Sequence, residues 1–81
     1  MSVSVELKAK VGDIVYVPMP NLPLPARREV VEVRLRKSLT TYALQNNRTG
    51  EIEFYDDIDF GIKVFADRKA AEAVLEGTRN V

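Results

Sequence analysis

The sequence predicts a mainly β domain: a small antiparallel barrel of five to six strands, capped by one C-terminal helix. Three observations carry this. Short segments between residues 3 and 65 alternate apolar and polar residues at period two, the signature of half-buried strands. Glycine, asparagine, aspartate and proline punctuate them. A single stretch, about residues 67–76, has helix-forming composition. Strands in series followed by one helix exclude a crossover architecture with a parallel sheet. The chain has 81 residues, which fits one domain spanning residues 1–81. Closure into a barrel would remove exposed sheet edges, a liability for a chain this small.

The elements follow in order. In residues 3–7, Val3, Val5 and Leu7 alternate with Ser4 and Glu6, predicting a first strand. That strand would add to its own sheet or pair with another chain's edge, and its exchange would give a symmetric dimer. Gly12-Asp13 is a turn, and Ile14-Val15-Tyr16-Val17 is a short apolar strand stopped by Pro18. Residues 18–25 hold all four prolines, so they cannot supply a hydrogen-bond ladder and form a stiff extended loop. Residues 29–37 are the longest strand, with Val31, Val33 and Leu35 on one face and Glu32, Arg34 and Arg36 on the other. Residues 41–45 follow, with Tyr42 and Leu44 inward. Asn46-Asn47-Arg48-Thr49-Gly50 is a hairpin turn, because Asn and Gly tolerate positive φ. Residues 51–55 alternate again, which places Ile52 and Phe54 inward and leaves Tyr55 exposed. Asp56-Asp57-Ile58-Asp59 is a polar corner, and residues 60–65 are the last strand. Asp67 caps the helix, Arg68 and Glu72 pair at i,i+4, and Gly77 ends it. Ala71, Val74 and Leu75 form its apolar stripe.

Two stretches resemble a known group. Val11-Gly12-Asp13-Ile14-Val15-Tyr16-Val17-Pro18 resembles the opening strand of many SH3-like barrels. The run from Phe60-Gly61 through Val64-Phe65 to Ala70-Ala71-Glu72-Ala73-Val74-Leu75 is similar to the ending of small bacterial and prophage proteins in which such a barrel is closed by a short helix. The resemblance spans roughly residues 10–76. This chain departs from it in Asp67, where Ser or Thr is common, in its proline-rich loop and in its extra N-terminal strand. The resemblance implies an SH3-like barrel in a phage or mobile-element setting, and it brings no catalytic residues.

Composition narrows the chemistry. The chain has neither Cys nor His, which removes disulfides, thiol nucleophiles, zinc fingers and Ser–His catalysis. No cofactor is implied and no enzyme is expected. No apolar run approaches the ~20 residues that span a bilayer. The N-terminal residues lack the basic start and unbroken apolar core of a signal peptide, so a cytoplasmic address is expected. Twelve basic and twelve acidic side chains cancel, yet residues 1–50 carry eight bases and four acids and residues 51–81 the reverse.

Three groups of residues are candidates for function. Met19, Leu22 and Leu24 are apolar in a loop that should be exposed, and Arg27 follows them. They either fold over the barrel or form a protein-binding patch. The segment from Leu22 to Arg27 is also similar to an SH3-domain ligand that lacks its first proline, Leu22 standing in that place. Arg27, Arg28, Arg34, Arg36 and Lys37 would contact phosphates as a nucleic-acid-binding strip, if they shared a face. The pI near 6.2 and aromatics committed to the interior weigh against that strip. Asp56, Asp57 and Asp59 are a weak candidate for a hard cation. They have only fragments of an EF-hand pattern, and a metal-dependent enzyme is the remotest reading. The expected function is therefore a non-catalytic module that binds another protein or itself.

Overall fold

In the computed structural model, residues 7–79 are described. The chain forms a four-stranded antiparallel meander followed by a 3₁₀ turn and one helix. β1 (Ile14–Val17), β2 (Ala26–Leu35), β3 (Thr40–Gln45) and β4 (Ile52–Asp56) lie side by side in sequence order. The 3₁₀ turn is Asp57–Asp59 and the helix, α1, is Arg68–Arg79. The mainly β class and the C-terminal helix match expectation. The five- to six-stranded closed barrel does not: among the described residues the sheet is open and has four strands.

Two of the predicted strands are not among these four. The predicted N-terminal strand lies outside the described residues apart from Leu7, which is exposed. The predicted last strand, residues 60–65, is broken by a turn at residues 61–63. The Asp59 carbonyl accepts N–H groups from Ile62, Lys63 and Val64 at 3.1, 2.7 and 3.0 Å. Gly61, at φ +90°, supplies the left-handed residue that this curl requires. Phe60, Val64 and Phe65 remain extended. Phe65 exchanges two backbone hydrogen bonds with Tyr16, at 2.7 and 2.8 Å, on the edge of β1 away from β2. The chain thus returns from β4 towards β1 but pairs there through one residue rather than a strand.

One face of the sheet carries the core. Val15 and Val17 of β1, Ala26 and Val30 of β2, and Tyr42 and Leu44 of β3 are buried together with Ala9 and Val64. The Tyr42 ring is enclosed, tilted against Phe60 at 4.7 Å between centroids. Its hydroxyl accepts the Lys8 N–H at 2.9 Å and donates to Asp57 Oδ1 at 3.0 Å. A phenol buried this deeply needs partners at its tip, and these two supply them. Burial pushes the Tyr42 hydroxyl pKa up, and Asp57 adds to the shift, while the Lys8 N–H opposes it.

β2 contains a bulge. Val30 opposes Leu44 and Glu32 opposes Ala43, so Val31 has no opposite number on β3. After the bulge, Val33 packs on the core and Glu32 and Arg34 lie on the other face, as the alternation predicts. Leu35 continues the Val33 face but has run past the core and is 59% exposed.

β4 reverses its predicted facing. Phe54 is 54% exposed and Ile52 is exposed too, while Tyr55 packs against the core. Register explains this. Tyr55 pairs with buried Tyr42 and therefore shares its face, whereas Phe54 pairs with Ala43 on the opposite one. Phe54 sits under the Arg34 guanidinium, 5.1 Å from the ring centroid.

In α1, Asp67 Oδ1 accepts the Lys69 N–H at 3.1 Å, and the predicted Arg68–Glu72 pair closes at 2.8 Å. Ala71 and Leu75 are buried, and Val74 is at the stripe's exposed margin. Gly77 does not stop the helix, which runs on to Arg79. No helix among the described residues is long and apolar enough to cross a membrane.

Candidate functional site

The proline-rich loop, residues 18–25, joins β1 to β2. The extended form expected of it is not what it adopts: it turns at Pro20 and Asn21, closed by the Leu22 N–H donating to the Met19 carbonyl at 3.0 Å, and bends through residues 22–24. That turn divides the loop's apolar residues. Met19 and Leu22 are half-buried and pack against the core, whereas Leu24 is 55% exposed. The loop therefore folds over the core at Met19 and Leu22 and leaves Leu24 on the surface.

The loop walls a hollow of about 460 Å³. Leu22, Pro23, Leu24 and Pro25 form one side, Arg27 and Arg28 the start of β2, and Asn46, Asn47 and Arg48 the other side. Antiparallel pairing explains the meeting: Glu29 pairs with Gln45, so the start of β2 lies beside the β3–β4 turn. The turn is held by the Gly50 N–H donating to the Asn46 carbonyl at 2.7 Å, and by the Arg48 N–H donating to Asn46 Oδ1 at 2.9 Å. Gly50, at φ +80°, permits the reversal. Three of the predicted protein-binding residues, Leu22, Leu24 and Arg27, thus line one hollow. Arg48 joins them there, unmarked by any motif, because only the strand register places it.

Met19 belongs elsewhere. With Val17 and Pro20 it lines a cleft of about 360 Å³ between the loop, Tyr55, Ile62 and the second half of α1, where Val74 and Leu75 face it. Burial raises the Tyr55 hydroxyl pKa, and the charge of Glu53 and its hydrogen bond at 3.3 Å raise it further, against an opposing pull from Arg28. Sequence reading missed this cleft, since it depends on Tyr55 facing inward and on where the helix docks.

The basic strip is divided. Arg28 pairs with core residue Val15, its side chain is 12% exposed, and its Nε lies 3.4 Å from Glu53 Oε1. Arg27 and Arg34 are exposed on the other face of the sheet, and Arg34 Nε is bound by Glu32 Oε1 at 2.6 Å. Arg36 and Lys37 are exposed just beyond β2, outside the hollow. The five bases therefore do not form one continuous face.

The acidic candidates are occupied by local structure. Asp57 accepts from Tyr42, Asp59 Oδ2 accepts the Asp56 N–H at 2.9 Å, and Asp59 Oδ1 lies 3.9 Å from Lys63 Nζ. Asp56 Oδ1 is 3.5 Å from the Thr41 hydroxyl. Among the described residues no three ligand-type side chains group as a metal site would require.

No protein-family model matches the chain, and no curated protein or solved structure is significantly similar to it.

Proposed function

We propose that this protein is a non-catalytic interaction module that docks another protein at its proline-rich loop. One observation carries the reading: Leu24 projects into solvent from a loop stiffened by four prolines, beside a hollow that it shares with Leu22 and Arg27. A stiff loop loses little conformational entropy on binding, which favours contact surfaces built this way. The connectivity supports an open relative of the SH3-like barrel, in which a 3₁₀ turn leads the chain from β4 back to Tyr16 of β1.

The test is a capture experiment with Leu24→Ser and Arg27→Glu as controls, both exposed positions whose substitution leaves the core intact. The expected result is an identified partner that binds again in purified form and loses affinity with either variant. A partner indifferent to both would remove the loop from the interface.

Nucleic-acid binding is the second reading, and one observation favours it. Phe54 is exposed beneath Arg34, so an aromatic lies at the surface on a face that carries basic side chains. It predicts binding to a single-stranded oligonucleotide that falls steeply with added salt and with Arg34→Glu. No binding at low salt would reject it.

A further inference from the structure

We infer that the loop hollow recognises an acidic segment of its partner, one in which carboxylates or phosphorylated side chains sit next to an aliphatic residue. This rests on the docking function proposed above and adds the chemistry of the occupant.

Charge complementarity is the argument. Among the described residues, Arg27, Arg28 and Arg48 line the hollow and no Asp or Glu does, although the whole chain is neutral. The nearest acids lie behind the lining rather than in it: Glu53 pairs with Arg28 at 3.4 Å, Glu29 Oε1 accepts the Asn47 amide at 3.0 Å, and Glu72 and Glu76 of α1 lie on the other side of Pro23 and Leu24. Arg28 is positioned by that ion pair and by its own Nη1 donating to the Arg27 carbonyl at 3.0 Å. With Nε and Nη1 so committed and its side chain 12% exposed, Arg28 adds positive charge to the wall, and the open forks are those of Arg27 and Arg48. Arg27 and Arg48 are exposed and form no ion pair among the described residues. Arginine forks suit carboxylate and phosphate groups equally, so both sources fit.

The opposite wall decides between classes of macromolecule. Leu22, Pro23, Leu24 and Pro25 offer an aliphatic surface, and among the described residues no aromatic ring lines the hollow. Bases of a single strand need rings to stack on. An aliphatic side chain beside an acidic one needs what is there: a Leu–Pro wall facing arginines.

The experiment follows the backbone amide signals of Leu24, Ala26 and Arg48 in the full chain by NMR, with four probes. These are a short peptide alternating glutamate with leucine, its phosphoserine–leucine counterpart, its lysine–leucine counterpart, and single-stranded oligothymidylate. The glutamate and phosphoserine peptides are expected to shift these signals, and their relative affinity separates the two anion sources. Arg48→Glu, at a surface turn, should weaken binding about tenfold or more, since it removes a charge-assisted contact and adds a repulsive one. Leu24→Ser should weaken it less. Binding of the acidic peptides unchanged by Arg48→Glu overturns the inference, as does oligothymidylate shifting the same signals while the peptides do not. If the lysine–leucine peptide alone binds, and Leu24→Ser abolishes it, the docking function stands and the acidic partner falls. If no peptide moves these signals, both fall.

Discussion

Tyr42 shows how much a single side chain organises. Its ring fills the centre of the core, and its hydroxyl ties the entering chain at Lys8 to the 3₁₀ turn at Asp57. Tyr42→Phe keeps the ring and removes both bonds, so thermal or urea melts should show a loss of about 1–2 kcal/mol. Its titration carries a sign as well. The folded-state pKa lies above the ordinary 10.0, so folding favours the neutral phenol. That contribution is complete below pH 10 and declines as pH rises through 10 towards the folded value. Tyr55 behaves in the same direction. Urea melts in steps above pH 10 should therefore show falling stability in the wild type and a shallower fall in Tyr42→Phe. Parallel slopes would mean that Tyr42 titrates alike in both states.

Among the elements, β4 separates what pattern decides from what register decides. Phe54→Ser should change stability by no more than about 1 kcal/mol, the scale of its exposed contact with Arg34. Tyr55→Ser should cost about 2–3 kcal/mol, because it removes a ring packed on the core. Melting curves with the opposite ranking would turn the strand over. This strand also marks how far the sequence is legible. Ile14–Val17, the turn at Gly50, Tyr42, Leu44, the Asp67 cap and the Arg68–Glu72 pair were all readable, because each depends on local period or turn chemistry. The facing of β4 was not, since Ile52 and Phe54 outrank Glu53 and Tyr55 in hydrophobicity but pair across from the wrong side of β3. Nor was the bulge at Val31, which shifts the phase between Arg28 and Arg34 and so divides the basic strip. The loop residues of the candidate site were legible from their chemistry. Arg48 was not, because its place beside Arg27 follows from strand pairing across the sheet.

For the molecule as a whole, the question is whether the helix is an appendage or part of one folding unit. The open sheet leaves the edge of β1 to be covered by whatever follows β4, and the last third of the chain reaches it twice. Phe65 bonds to Tyr16, and α1 packs against β1 with Ala71 and Leu75 buried. Val64, on the segment that joins the two, belongs to the central core cluster itself. A chain of 81 residues without disulfides buries too little surface to sustain two independent cores. Losing the helix would strip cover from β1, and losing the sheet would leave the apolar stripe of α1 in water, where a helix of 12 residues is marginal. Leu75→Ala should therefore cost about 2–4 kcal/mol although it lies on the helix. The helical circular dichroism and the near-ultraviolet signal of the sheet tyrosines should still melt in one coincident transition, displaced to lower temperature. A helical signal that melts first, with the tyrosine signal left at its wild-type midpoint, would show that the sheet stands without α1.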